Sequence, residues 1–167
     1  FSTGGVTEFQ LADPAVALTG SNTAAAPFLL LALDTTGHSG IDVAYLLRDL
    51  DGSADNAVQA VALQYRVGDS GDFSNLPAAF VADATEGPSL AGKTTAVSVR
   101  LPAAADNQPL LQLRWLTANA AGNDEWVGID DIAVTAGGGD PVNAAVVPVC
   151  PASFAVFENE AGSVTLT

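Results

Sequence analysis

Two adjacent aspartates, Asp130 and Asp131, lie inside an apolar segment, and their carboxylates are candidates for hydrogen bonding or for binding a cation. Apolar residues alternate with period two on either side of this pair, but three positions separate Ile129 from Ile132. One extra residue in a strand is a β-bulge, which redirects the side chains beside it. The sequence therefore predicts a β-strand over 127–134 with a bulge at the two aspartates.

Clustered carboxylates at a bulge have two interpretations, and the sequence leaves both open. The aspartates either accept hydrogen bonds from nearby backbone N–H groups, or they bind calcium, a hard cation that takes carboxylate and carbonyl oxygens. In the second case Asp124, Glu125 or the N-terminal Glu8 would complete the set of metal ligands. Neither role is catalytic.

A second group of acids follows the predicted strand over 41–47. Asp49, Asp51 and Asp55 lie in one short connection, where like charges repel unless a cation or an arginine neutralises them. Calcium is one candidate, and a local ion pair with Arg48 is the other, which the sequence slightly favours. The spacing is not that of an EF-hand, because Gly52 comes too soon after Asp49 and no glutamate closes the loop.

Four arginines occupy the polar phase of predicted strands and should point outward, close to one another on one sheet: Arg48, Arg66, Arg100 and Arg114. Their stems could cover apolar edges while their heads pair with the abundant acids. Alternatively, they form a face that binds an anionic or sugar-like ligand, with Tyr45 or Trp126 as a stacking surface. The first interpretation is favoured, because Tyr45 and Trp115 are both predicted to point inward.

The elements that must position these residues are short segments of alternating hydrophobicity. They cover 6–9, 16–18, 27–33, 41–47, 61–67, 95–101, 111–116 and 127–134. The continuous apolar run 27–33 predicts a strand buried on both faces, and 61–67 is expected to pair with 41–47. No segment has a convincing helical period. Residues 1–136 are therefore predicted to form an all-β fold, an antiparallel two-sheet β-sandwich of the jelly-roll type.

A composition change marks the end of this predicted domain. Residues 137–141 form a Gly-rich linker, and 142–167 contain short apolar bursts that predict a strand-forming tail. The tail is too short to fold alone, so we expect it to begin a next domain or to dock onto neighbouring domains or copies of this chain. The lone Cys150 excludes an internal disulfide.

Charge and residue usage exclude several classes of function. The net charge of −14, from 19 acidic and 5 basic residues, disfavours nucleic-acid binding by this chain. No apolar run approaches the roughly 20 residues of a membrane span, and no leader is evident, so we expect a mature or trimmed form. His38 is the only histidine and lies in a predicted turn, so no Ser/His/Asp set can form and no enzyme is expected.

Several segments resemble the accessory domain that precedes the nuclease domain in large secreted bacterial nucleases of the endonuclease/exonuclease/phosphatase family: 47–59, 61–68, 80–85 and 123–132. The likeness covers most of 15–135. The stretch Gly128-Ile129-Asp130-Asp131-Ile132 is also similar to the last strand of MAM-type, LamG-like and several carbohydrate-binding jelly rolls.

The resemblance implies a structural calcium on Asp130 or Asp131 and an extracellular or bacterial cell-surface location. It does not carry over nuclease activity, because the catalytic residues of those nucleases belong to another domain. Residues 150–153 resemble the approach to a following immunoglobulin-like or cadherin-like repeat.

Together these observations predict a non-catalytic extracellular module, a calcium-stabilised β-sandwich that adheres or presents neighbouring domains. One alternative is a subunit of a filament or surface layer, joined through its C-terminal strand. The other is a carbohydrate-binding module attached to a secreted hydrolase, with glycans as partners.

Overall fold

The fold consists of short strands with two single-turn 3₁₀ helices, Pro77–Ala79 and Ala103–Ala105. The computed structural model describes residues 4–52, 57–86, 92–137 and 142, together with the backbone of 156–158 and 164–166. Its strands are β1 (Gly5–Phe9), β2 (Ala15–Thr19), β3 (Phe28–Leu33), β4 (Asp42–Asp49), β5 (Val61–Val67), β6 (Ser74–Asn75), β7 (Thr94–Arg100), β8 (Leu111–Thr117), β9 (Val127–Thr135), β10 (Val156–Glu158) and β11 (Val164–Leu166). Among these residues no helix is long and apolar enough to cross a membrane.

Strands β1 to β9 form two antiparallel sheets. One contains five strands in the order β1-β2-β9-β4-β7, and the other contains four in the order β3-β8-β5-β6. The apolar phase of each strand is buried between the sheets, where the Tyr45 ring of β4 meets the Trp115 ring of β8 edge to face at 5.6 Å. The structure thus confirms the predicted antiparallel β-sandwich and the inward orientation of both rings.

Strand β9 lies at the centre of the five-stranded sheet, between β2 and β4. Ala44 of β4 pairs with Ala133 and Leu46 pairs with Asp130, so two steps along β4 face three steps along β9. Asp131 takes the extra position with a φ of +50°, the left-handed conformation that often accompanies a bulge. The bulge predicted from the broken alternation is confirmed.

Two strand predictions were wrong in ways that have a common cause. Strands β4 and β5 do not pair, because β4 lies between β9 and β7 while β5 lies between β8 and β6 of the other sheet. The run 27–33 is fully buried only over Leu31–Leu33, since β3 is an edge strand. The hydrophobic pattern of a strand indicates which of its side chains are buried, but it does not identify the neighbouring strands or show whether the strand lies at an edge of the sheet.

In the tail, β10 and β11 pair with each other in antiparallel fashion. The Gly-rich linker over 138–141, Cys150 and Asp55 lie outside the described residues. The predicted docking of 142–167 onto another domain or another copy stays a prediction.

Candidate functional site

Of the two predicted metal ligands at the bulge, Asp130 is engaged by the protein itself, whereas Asp131 is exposed. Asp130 Oδ2 lies 2.5 Å from Arg48 Nη1, which also contacts Asp13 Oδ2 at 3.2 Å. The other oxygen of Asp130 accepts a hydrogen bond from the Asp131 backbone N–H at 2.9 Å. The Asp130 carboxylate is therefore used in an ion pair and a backbone hydrogen bond, which is the structural role that the sequence left open.

The wider set of predicted calcium ligands is not assembled at this place. Within the described ranges, no three His, Cys, Asp or Glu side chains are arranged to hold a metal ion. Glu8 lies on the edge strand β1, and Asp124 lies in the loop before β9, where its Oδ1 accepts a hydrogen bond from the Ala120 N–H at 2.6 Å. Among the described residues Arg48 forms ion pairs with Asp130 and Asp13, and the predicted local ion pair with the acids of the 49–55 connection stays a prediction, because Asp55 lies outside them.

The four arginines point outward as predicted, but the expectation that they share one sheet was wrong. Arg48 and Arg100 belong to β4 and β7 of the five-stranded sheet, whereas Arg66 and Arg114 belong to β5 and β8 of the four-stranded sheet. The two sheets face each other, so their outer surfaces lie on opposite sides of the sandwich. Arg100 pairs with Asp42 of the neighbouring strand, donating from Nε to Oδ1 at 2.9 Å.

Arg66 and Arg114 form a second surface together with the ring of Phe73, which lies between β5 and β6. Their guanidinium carbons lie 4.4 and 4.0 Å from the centre of that ring, and Arg114 also lies 5.4 Å from the Phe28 ring. We call Arg66, Phe73, Arg114 and the glutamines bonded to the two arginines the arginine surface. Sequence reasoning missed Phe73, because its turn carries no periodic signal.

The glutamines of the arginine surface hold the two guanidinium groups in place across strands. Arg66 donates from Nε to Gln112 Oε1 at 3.0 Å, and Arg114 donates from Nε to Gln64 Oε1 at 2.9 Å. Gln64 and Arg114 are directly opposite in the register of β5 and β8, as are Arg66 and Gln112. The alternation of Gln and Arg on these strands was a signal that could have identified the pairs.

A groove of about 600 Å³ opens between the loops at one end of the sandwich. Its lining is mostly polar: Gly4, Thr19, Gly20, Ser21, Asn22, Thr23, Asn119, Ala120, Gly122, Asn123, Asp124 and Trp126. The half-buried Trp126 ring packs on Phe9 at 5.5 Å with an angle of 59°. We call this site the loop groove.

The shape of the loop groove depends on a close approach between the loops that follow β2 and β8. A Cβ atom on Gly20 would lie 2.6 Å from both Asn119 Cα and Asp124 Oδ1. These separations are far shorter than any van der Waals contact, so the loops can meet only at a glycine. The approach brings Asp124 and Trp126 to one wall of the groove with several amide side chains.

An acidic cluster lies at the end of β4. It comprises the buried Asp49 and Glu125 and the half-buried Asp51 and Asp83. Asp49 and Glu125 are each only 1% exposed, and Glu125 Oε2 has no hydrogen-bond partner in the part of the chain that the structure describes. Burial raises the pKa of Glu125, the Thr85 hydroxyl opposes this shift, and the three aspartates add to it. Burial likewise raises the pKa of Asp49.

A buried glutamine, Gln59, links the parts of the chain that carry this cluster. Its Oε1 accepts from the Glu125 N–H at 3.2 Å, and its Nε2 donates to the Ala118 carbonyl at 2.8 Å. Asp83 Oδ1 accepts from the Gln59 backbone N–H at 3.2 Å. Sequence reasoning placed Asp49 and Asp51 correctly in one region, but it missed Asp83, which is distant in sequence and reaches the cluster through the bridge between Val61 and Val81.

No protein-family model matches the chain, and no curated protein does either. Among solved structures, the chain is similar to the carbohydrate-binding module TmCBM61 in complex with β-1,4-galactotriose. That match has 14% identity and a TM-score of 0.50, covering 81% of this chain and 86% of the other. It is also similar to CBM28, a module specific for non-crystalline cellulose, with 13% identity and a TM-score of 0.51 over 76% of this chain and 78% of that one.

A third similar structure is the enzymatically active domain of tailspike protein 4 of bacteriophage CBA120. It has 7% identity and a TM-score of 0.45, over 80% of this chain and 18% of that one. At these identities the first two likenesses show a shared β-sandwich fold. The resemblance to the nuclease accessory domain stays a prediction.

Proposed function

We propose that this chain is a non-catalytic carbohydrate-binding module of a secreted or surface protein, and that its ligand occupies the loop groove. The observation that carries this proposal is the accessible part of the Trp126 ring beside Asp124 and the amides of Asn119 and Asn123. An aromatic face can stack on the C–H groups of a sugar ring, while carboxylate and amide groups exchange hydrogen bonds with its hydroxyls.

The groove also suits a saccharide in its size and composition. About 600 Å³ falls within the range of small-molecule sites, roughly 300–1,000 Å³, and polar groups line most of it. Two modules with the same type of sandwich bind neutral glycans, β-1,4-galactotriose and non-crystalline cellulose. These two ligands are therefore the first probes to use.

The test is calorimetric titration of the protein with β-1,4-galactotriose and with soluble cello-oligosaccharides. We expect Trp126→Ala to weaken binding at least roughly tenfold, since it removes the stacking surface, and Trp126→Phe to retain part of the affinity. Phe80→Ala is the matched control, because Phe80 is an aromatic residue outside the groove with 55% of its surface exposed. The proposal fails if the wild-type protein binds neither neutral glycan, or if Trp126→Ala binds as well as Phe80→Ala does.

Loss of folding would make Trp126→Ala ambiguous, because the ring also packs on Phe9. The exposed Asn123 provides a second variant, Asn123→Ala, which removes one groove amide without touching the Phe9 contact. We expect an intermediate loss of affinity with an unchanged melting temperature.

We also propose that calcium binds the acidic cluster and stabilises the sandwich. The supporting observation is the buried Glu125 Oε2, which has no hydrogen-bond partner among the described residues and is repelled by the charges of Asp49, Asp51 and Asp83. Carboxylate oxygens are the ligands that calcium prefers, and an ion here would offset their repulsion. Because no three acids in the described ranges are already arranged around one point, binding requires these side chains to turn toward a shared ion.

A further inference from the structure

We propose that the arginine surface is a second binding site, specific for acidic polysaccharides that carry carboxylates on their sugar rings. This site is separate from the loop groove, for which neutral glycans are proposed, because the arginine surface belongs to the outer face of the four-stranded sheet. Its ligand-binding groups are the guanidinium groups of Arg66 and Arg114, stacked against Phe73.

The first step of the argument concerns charge. The chain has 19 acidic residues for 5 basic ones, yet the ion pairs within the described ranges involve Arg48, Lys93 and Arg100 and leave out Arg66 and Arg114. The adjacent turn contains Asp69 and Asp72, and neither is among the acids that form ion pairs in the described ranges. Two cations are thus held beside one ring in a strongly acidic chain with glutamines as partners.

This arrangement has an electrostatic cost that an anion would relieve. Burial and the neighbouring charge of Arg66 both lower the pKa of Arg114, which shows that the two like charges act on each other. An arginine pair held together without a carboxylate favours a negatively charged ligand placed between the two heads.

The second step concerns geometry. Each guanidinium group has five N–H donors, and Arg66 donates to Gln112 Oε1 and to the Gly71 carbonyl, which it contacts at 2.9 Å. Arg114 bonds Gln64 through Nε and Nη2. Donors of both groups remain for a ligand, and their planes are fixed by the glutamines and by Phe73, so little side-chain entropy is lost on binding.

The third step explains why the ligand is a saccharide. The half-buried rings of Phe28 and Phe73 flank Arg114, so apolar ring surface lies beside the guanidinium donors. A chain of uronate sugars offers the complementary alternation, because each ring has a C–H face and a carboxylate. An acidic peptide supplies the carboxylates without the rings, and it is therefore a suitable negative control.

The experiment measures binding of a galacturonic acid trimer, its methyl ester and poly-L-glutamate to the whole chain. We expect the acid to bind, with an affinity that falls as salt is added, and the ester to bind at least roughly tenfold more weakly. Arg66→Gln and Arg114→Gln should each weaken binding of the acid at least roughly tenfold. Arg100→Gln is the matched control, since it removes the same charge from the other sheet and should bind as the wild type does.

The wild-type protein gives an independent readout that does not depend on how the variants fold. Titration with the trimer should shift the side-chain Nε–H signals of Arg66 and Arg114 in NMR spectra and leave that of Arg100 in place. Equal binding of acid and ester, equal binding of poly-L-glutamate, or equal effects of the Arg66 and Arg100 variants would each overturn the proposal. Trp126→Ala separates it from the proposed function, because that variant should lose the neutral glycan and keep the acid.

Discussion

Replacing Glu125 by glutamine should have opposite effects on stability with and without calcium. In the absence of calcium, the change removes the negative charge of a residue that is 1% exposed and that three aspartates repel. One oxygen of this carboxylate has no hydrogen-bond partner among the described residues. A buried polar group without a hydrogen-bond partner lowers the free energy of unfolding by about 1–3 kcal/mol, and by more if it is charged. The neutral glutamine amide would still lack a partner, so the substitution removes only part of this cost. We therefore expect Glu125→Gln to stabilise the calcium-free protein by about 1–2 kcal/mol.

With calcium the order should reverse. An ion at 100 times its dissociation constant stabilises the wild-type protein by about 2.7 kcal/mol, and the glutamine variant loses most of this gain. Because 1 kcal/mol corresponds to roughly 2–4 °C in the melting temperature of a domain this size, both differences are measurable by scanning calorimetry.

The assay compares Glu125→Gln with the wild type in EDTA and in millimolar calcium. Glu86→Gln is the matched control, since Glu86 is a glutamate with 79% of its side chain exposed, and it should follow the wild type in both buffers. A variant that melts below the wild type in EDTA would refute the repulsion argument. A wild-type melting temperature that is unchanged by calcium would refute the metal site.

Two further predictions follow from the acidic cluster and the bulge. In EDTA the stability of the wild-type protein should increase as pH falls from 7 toward 5. The pKa values of Asp49 and Glu125 are raised in the folded state, so their contribution to stability is greatest below the unfolded values of 3.8 and 4.5 and is lost as pH rises through the folded values. Melting temperatures across this range check the prediction, and a melting temperature that decreases toward pH 5 would contradict it. Asp131→Val should lower the unfolding free energy by about 1–2 kcal/mol, because a β-branched residue is strained at a φ of +50°, whereas Asp131→Gly should change it little. Denaturant titration of both variants measures the difference. Equal effects of the two substitutions would argue against backbone strain.

Local sequence patterns were sufficient to locate the longer strands of the sandwich and the bulge, but not the two-residue strand β6. The period-two alternation around Tyr45 and Trp115 identified the inward faces, and the three-residue step at Asp130 identified the extra residue of β9. These features depend on neighbours in the chain, so they are visible without knowledge of the fold.

The sites depended on strand pairing, which the local pattern does not determine. Arg66 and Arg114 meet because β5 pairs with β8, and Asp83 reaches Glu125 because its segment bridges to β5. Arg48 lies apart from Arg66 and Arg114 because its strand, β4, belongs to the other sheet. Strand order is set by which surfaces bury one another over long sequence separations, and single-chain alternation carries no record of it.

The central place of β9 has a consequence for how the chain is made. Strand β2 is buried along its whole length, but the neighbour that covers one of its edges is translated more than a hundred residues later. At the ordinary speed of a ribosome this delay is on the order of ten seconds. Until Val127–Thr135 has emerged, that edge of β2 lacks its native neighbour and is open to pairing with other strands.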